Sequence, residues 1–499
     1  MTTKFKTIGF LTLGAAAMAA QAQNVQPTLA SNEKAAPVLS PTEQTIKDIK
    51  NPVSWMSWGA DFRARNEYYN NARSLSDKVS YHEQDYFRFR ARLWASVKPT
   101  EDLAFNVRLT TEPRAFVEPS NSGNYRAGYP GNTWRGTKGW DWTYGIFDQL
   151  NVQYKNMFSI PATLSLGRQD ISLNDNWLTG DGTPLDGSWT TYMDSARLTY
   201  DLKDQKTVFD AIGILQYARA NEWMPTINEQ NRALGDQDER GAIFNVSNKS
   251  IDYLNMDGYF IYKHDTLLHN ADRPAGMNGD NANIYTFGGR LSGVFASNWK
   301  YSAGGAYQFG EKQDPRLIHD NFSPTSDYRD IDAFGINTKL TYMFKDSMDN
   351  QVGMSYEYLS GDDPKTKKDE MFDILWGRYP RWTDLYTFSL TPEARIGQYG
   401  NYHRFGPTWT ITPVKDFDIT SSYFVLFSDQ NGIPTRAANS SLQYFGGGNF
   451  RGQYLQSILK YKFTSHISAL LQGELLLPGD FYTDHPLTSF VRAELTFTF

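Results

Sequence analysis

The 499-residue chain contains 31 Phe, 30 Tyr, 13 Trp and 39 Gly but no Cys, and it carries a formal net charge of −6. It has no run of about eighteen apolar residues, which excludes a helical membrane span, and the missing Cys excludes both a disulfide-stapled exported domain and thiol chemistry. The acidic balance argues against a nucleic-acid partner. Aromatic and Gly richness at a mean hydropathy of −0.55 instead suits an outer-membrane barrel, which needs aromatic girdles, a lipid face built of alternate residues and a polar lumen.

The chain opens with "MTTKFKTIGFLTLGAAAMAAQAQ", in which Lys4 and Lys6 precede an apolar run from Ile8 to Ala20, and Ala20-Gln21-Ala22 offers a small-residue cleavage site. The pattern predicts a signal peptide over 1–22. Residues 23–56 then form a polar periplasmic extension, too short for the plug domain of an energy-driven receptor.

From residue 57 to 499 one pattern repeats: pairs of period-two segments joined by short polar turns, each pair separated from the next by a long polar loop. "RFRARLWASVKPTEDLAFNVRLT" and "NTKLTYMFKDSMDNQVGMSYEYL" are two such hairpins. Strands are predicted near 57–70, 84–98, 102–114, 143–155, 163–170, 193–203, 207–219, 240–247 and 251–263. The second half adds 283–296, 299–310, 332–345, 349–360, 401–412, 416–428, 451–463, 466–477 and 489–499. The segment "DLYTFSLTP" (384–392) would make the count odd and reverse the sidedness of every later turn, so it is assigned to a loop folded toward the channel. The expectation is an all-β, transmembrane antiparallel barrel of eighteen strands, with short periplasmic turns and long extracellular loops. The chain ends in "FVRAELTFTF", strictly alternating to Phe499. A bare apolar edge invites aggregation, so this strand must pair with the first to close the ring. A terminal aromatic strand also resembles the signal read by the barrel assembly machinery, which makes Phe499 the candidate assembly residue.

Energetics decides which face meets lipid. In "DYFRFRARLWAS" Arg88, Arg90 and Arg92 alternate with Phe87, Phe89 and Ala91. One Arg on the lipid face near the midplane costs about 2–4 kcal/mol, so these three must point inward. Parity then places Asp61, Arg63, Arg65, Glu67, Arg108, Arg197, Asp257, Arg290, Lys339, Glu357, Arg404, Asp418, Lys460, Lys462, Glu474, Arg492 and Glu494 inside as well. Registers near 163, 207 and 240 are not fixed by the pattern. Thirteen inward basic residues against seven acidic ones predict a lumen that concentrates anions. The alternative is that these charges pair across the barrel and only keep a wet interior soluble.

Three stretches carry a family resemblance: "LGRQDISLNDNWLTGDGTPLDGSWTTYMDSARLTY", "SYEYLSGDDPKTKKDEMFDILWGRYP" and "FGPTWTITPVKDFDITSSYFVLF". They resemble the alginate-export outer-membrane family, in which a Gly-Arg-Gln strand end is followed by a loop and an Asp-x-x-Arg-Leu strand start. A Tyr, Ser-Gly-Asp-Asp segment then precedes a Phe-Asp-x-Leu motif. The matching positions are Gly167, Arg168 and Gln169; Asp194, Arg197 and Leu198; Tyr358, Ser360, Gly361, Asp362 and Asp363; and Phe372, Asp373 and Leu375. The resemblance implies a monomeric eighteen-stranded barrel with an Arg-rich constriction passing an anionic polysaccharide, with Arg168 and Arg197 carried over as lumen residues.

Enzymatic signatures are weak. The seven His are scattered without metal-ligand spacing, and neither a Gly-x-Ser-x-Gly elbow nor a phosphate-cradling loop is present. "GDGTPLDG" and "SGDDP" do not complete a calcium loop, and the Trp residues of "NTWRGTKGWDWTYG" read as an aromatic girdle. The sequence therefore predicts a cofactor-free porin-type channel for anionic saccharides or smaller organic anions, with a weakly selective diffusion porin, a barrel enzyme or a surface adhesin as alternatives.

Overall fold

A computed structural model describes residues 40–72, 75, 77, 82–118, 139–142, 145–180, 192–219, 222–227, 237–267, 281–313, 328–363, 365–377, 380–386, 400–431 and 447–499. The proposed signal peptide and residues 23–39 lie outside them, as do the Asp/Gly-rich stretch 181–187 and the start of the Trp-rich segment, 132–138.

The described strands form one antiparallel sheet closed on itself. They run β1 (Met56–Asn70), β2 (Glu83–Val97), β3 (Leu103–Thr111 and Arg114–Glu118), β4 (Gly139–Asp141 and Gly145–Tyr154), β5 (Ala162–Gln169), β6 (Met193–Leu202), β7 (Thr207–Gln216), β8 (Gln237–Ile251) and β9 (Leu254–Leu267). The second half comprises β10 (Asn281–Phe295), β11 (Trp299–Gln313), β12 (Arg329–Met343), β13 (Gln351–Leu359), β14 (Tyr402–Val414), β15 (Phe417–Phe427), β16 (Phe450–Lys462), β17 (Ile467–Pro478) and β18 (Thr488–Thr498). Each of the eighteen matches one predicted strand. β3 is interrupted at Glu112-Pro113, because Pro113 has no N–H to give the ladder; β2 runs unbroken past the gap, pairing Ala91 with Thr111 and Arg88 with Arg114.

Closure occurs where the terminal strand required it. β18 pairs with β1, Phe62 opposite Phe497, and the ladder runs to the last residue: Phe499 N–H donates to Ala60 O at 2.8 Å and Ala60 N–H returns to Phe499 O at 3.2 Å. The Phe499 ring lies 5.2 Å from that of Trp58.

The alternation of faces is as the energetics demanded. Phe62 and Leu93 are 44% and 51% exposed on the outer wall, whereas Arg63 and Arg65 are each 2% exposed inside. Trp140 and Trp142 stack at 5.1 Å and are exposed, as girdle residues would be.

The interior departs from the uniformly polar lumen expected. On β7–β12 the inner face carries Ile212, Ile214, Ile243, Ile261, Ile284 and Ile331, all buried. Two loops fold inward to cover them. The β5–β6 loop contributes Ile171 and Leu178, and the β13–β14 loop contributes Phe372, Ile374, Leu375 and Trp376, all within one apolar cluster. Burying each large apolar side chain contributes about 1.5–3 kcal/mol, which offsets part of the entropy of ordering the loops. The loops also touch each other: Thr179 and Trp376 form a parallel bridge, and Gly180 N–H donates to Trp376 O at 3.1 Å. Gly241 makes room for this packing, since a Cβ there would lie 2.8 Å from the Trp376 ring. An apolar inner face also explains why parity failed to fix the registers near 207 and 240: outward Phe209 and Leu215 and inward Ile212 and Ile214 are equally greasy.

The extension is not featureless. Residues Pro41–Lys50 form α1, capped by Ser40, whose hydroxyl accepts from Glu43 N–H at 3.2 Å, with Pro41 in the first turn. It lies against the short-turn rim.

Candidate functional site: the lumen and its inward loops

The basic wall read from β1 and β2 is brought together in the structure, together with its counter-charges. Arg63 reaches Glu112 at 2.6 Å and Arg88 reaches the same carboxylate at 2.7 Å. Arg65 pairs with Glu494 at 2.6 Å and Glu67 at 3.2 Å; Arg88 and Arg492 also hold Glu67, at 3.2 and 2.8 Å. Arg90 and Arg92 share Asp61 at 3.1 and 2.5 Å. Two strands of closely spaced guanidiniums in a low-dielectric wall require such carboxylates, because unpaired buried charge is far costlier than a paired one.

The other nominated arginines are paired as well. Arg108 binds Asp148 at 2.8 Å and Asp170 at 2.9 Å. Arg168 makes a two-pronged contact with Asp194, 2.8 and 3.0 Å, donates to Phe147 O at 3.0 Å and lies 3.7 Å over the Tyr192 ring. Gly167 before it adopts φ +113°, where a Cβ would strike Leu150 O at 2.3 Å; this explains the Gly of the Gly-Arg-Gln strand end. Arg197 holds Asp210 at 2.9 Å, Arg290 holds Asp257 at 3.2 Å and Asp175 at 2.6 Å, and Arg404 holds Glu357 at 3.3 Å.

The thirteen-to-seven count of inward charge is incomplete for both signs: Arg114, Lys263, Lys312, Arg329 and Arg451 are also buried inside. Glu112, Asp148, Asp194 and Asp210 were not counted, and Asp170 and Asp175 arrive from the β5–β6 loop. One of them was readable: Glu112 continues the parity of Arg108 and Thr110. The loop carboxylates were not, because nothing in a polar loop announces that it turns inward.

The β13–β14 loop is bolted down by polar contacts from several staves. Asp373 N–H donates to Gln308 Oε1 at 2.9 Å, and Gln308 Nε2 donates to Asp373 O at 2.7 Å. The Ser360 hydroxyl donates to Glu370 O at 2.6 Å and accepts from Phe334 N–H at 3.0 Å, while Asp362 pairs with Arg329 at 3.0 Å. Asp384 pairs with Arg492 at 3.0 Å, and Glu474 accepts from Leu385 N–H at 2.7 Å and Asp384 N–H at 3.2 Å. The segment from Asp384 therefore does fold into the channel as expected as far as Tyr386; 387–392 lie outside the described residues. The Ser360, Asp362, Phe372 and Asp373 motif positions thus build the inward loop.

Beside the loops a cavity of about 280 Å³ remains open, lined by Trp177, Lys339, Glu357, Trp382, Tyr402 and Arg404 among others. Glu357 is its polar hub, accepting from Trp177 Nε1 at 3.0 Å, Tyr402 OH at 3.0 Å and Arg404 Nε at 3.3 Å. The Arg404 guanidinium lies 4.4 Å from the Phe424 ring centre and 5.2 Å from that of Trp382. Among the described residues, Lys339, its inward neighbour Lys300 and, on β16, Lys460 have no carboxylate within ion-pair distance.

Among solved structures, OccAB1 of Acinetobacter baumannii is similar at 11% identity, covering 89% of this chain and 96% of that chain with a TM-score of 0.54. OccAB4 of the same organism is similar at 13% identity, covering 89% and 98%, with a TM-score of 0.50. At these identities the likeness speaks for the barrel fold alone. No curated protein matches the sequence. The profile of the alginate export family matches residues 54–493, nearly the whole barrel. With its closed eighteen-stranded wall, its inward loops and that match, the chain belongs to the alginate export family of outer-membrane porin-type β-barrels.

Proposed function

We propose that this porin-type barrel passes anions passively, either anionic saccharide chains of the alginate type or smaller organic anions, across the outer membrane of a Gram-negative cell. Residues 1–22 would direct export, the assembly machinery would read the Phe499 strand, and the barrel would act as a monomer without a cofactor. One observation supports the anion reading most: among the described residues, Lys300, Lys339 and Lys460 on the inner face have no carboxylate in ion-pair reach, and Lys339 lines the open cavity, whereas each of the ten nominated arginines contacts at least one carboxylate. Ammoniums without a contacting carboxylate beside a low-dielectric wall raise the local anion concentration. Trp177 and Trp382 add flat faces on which a pyranose ring could lie, and Arg404 adds a planar donor for a carboxylate.

The test is ion selectivity in planar bilayers. In a KCl gradient the reversal potential should indicate anion preference, and polyuronate should reduce the current. Lys300→Gln, Lys339→Gln and Lys460→Gln together should shift the reversal potential toward cation preference. An ohmic channel without ion preference, unaffected by the triple substitution, would favour the general diffusion porin.

A further inference from the structure

We infer that α1 is an interfacial helix that lies on the phospholipid leaflet beside the barrel's closing seam. Two contacts fix its place. Glu43 accepts from the Ser465 hydroxyl at 2.6 Å and sits 3.1 Å from His466 Nε2, both in the β16–β17 turn. At the other end, Trp58 Nε1 donates to Ile49 O at 2.8 Å. Trp58 stands on the outer face of β1, on the same parity as Phe62, and its ring packs on Phe499. The helix thus bridges the outer rim from β17 across β18 to β1, where the lipid-facing surface begins.

What it presents there has no apolar partner among the described residues. No residue of α1 is buried, and Ile49 and Val53 are 46% and 40% exposed. Ile46 and Ile49 share a helical face, flanked by Lys47 and Lys50 in the last turn. Apolar residues flanked by lysines, contiguous with a lipid belt, suit the boundary between headgroup and acyl chain, with the ammoniums near phosphates. The short-turn rim of barrels of this class faces the periplasm, so the leaflet is the phospholipid one. The inference depends on that orientation and not on the anion reading.

The chain has no Cys, so Ile49→Cys can carry a single environment-sensitive fluorophore. The variant, folded into phosphatidylcholine vesicles with or without phosphatidylglycerol, should show blue-shifted emission. Phospholipids brominated near the headgroup end of their chains should quench it, as they quench a label at Leu455→Cys on the outer wall. A label at Asp48→Cys, on the opposite side of the helix from Ile46, should remain open to iodide. Lys47→Gln with Lys50→Gln should weaken lipid quenching at 49 more in phosphatidylglycerol-containing vesicles than without it. If the label at 49 is as accessible to iodide as that at 48, the inference is overturned. A label at 49 shielded from iodide but untouched by brominated lipid would also overturn it, since protein, or a second copy of the chain, would then cover the helix.

Discussion

Glu474 on β17 accepts the backbone N–H of Leu385 at 2.7 Å, so a carboxylate of the wall holds the first turn of a loop segment inside the barrel. The same side chain takes the Thr383 hydroxyl at 3.2 Å, and Thr383 in turn accepts Tyr386 N–H at 2.9 Å. Wall and loop therefore share one hydrogen-bonded unit. Glu474→Ala should leave these amides without an acceptor, at a cost of about 1–3 kcal/mol each if they stay buried. The loop is expected to leave its seat in part, seen as larger and noisier single-channel conductance from a barrel that still shifts normally on gels. A quiet channel of unchanged conductance would show that the apolar contacts alone hold the loop.

The arginine wall makes a second expectation. Glu112 is shared by Arg63 and Arg88 and is fully buried. Glu112→Gln should cost about 3–5 kcal/mol by leaving buried guanidiniums uncompensated, read as a lower temperature for loss of the heat-modifiable form. Replacing Arg88, Arg90 and Arg92 together with Gln should likewise destabilise, because Asp61 and Glu67 lose partners. Its effect on ion preference should be smaller than that of the Lys300, Lys339 and Lys460 substitutions. The reverse order in reversal-potential measurements would return selectivity to the arginines.

Deleting Phe499 removes two ladder hydrogen bonds to Ala60 and a ring contact to Trp58. The folded outer-membrane fraction should fall. Phe499→Tyr keeps ring and ladder and should restore it; equal assembly of deletion and wild type would mean that the closing strand tolerates loss of its last residue.

Acidification should act on the α1 dock. Hydrogen bonds from Ser465, then His466, hold the Glu43 carboxyl below its ordinary range. A depressed carboxyl favours the docked state fully above the ordinary Glu value, and that contribution is lost as pH falls through the lowered one. Trypsin cleavage after Lys47 or Lys50 should therefore accelerate between about pH 5 and 3, once corrected for the enzyme's own profile, and Glu43→Gln should abolish the change. A profile unaffected by Glu43→Gln would place the dock elsewhere, on the Trp58 contact.

Eighteen strands were legible because lipid on one side and charge on the other impose period two, and Arg88, Arg90 and Arg92 leave no choice of face. The final aromatic strand required a partner and found it in β1. What could not be read was the inside. Ile243 and Ile261 face inward yet look like lipid-facing residues, since both environments are apolar and the strand pattern carries no sign of which is which. The motif around Phe372 and Asp373 was recognisable as a resemblance, but its purpose, seating a loop against β11 and β12, depends on contacts far away in sequence. Likewise the arginines were legible and part of their pairing was not, because Asp170 and Asp175 come from a loop.

The apolar stretch of inner wall from β7 to β12 also means that the bore is not set by strand count alone. Trp376 and Leu178 fill the space in front of that row of isoleucines. The open cross-section therefore belongs to the loops as much as to the staves, and a barrel of the same circumference with polar loops in their place would be wider and wetter inside.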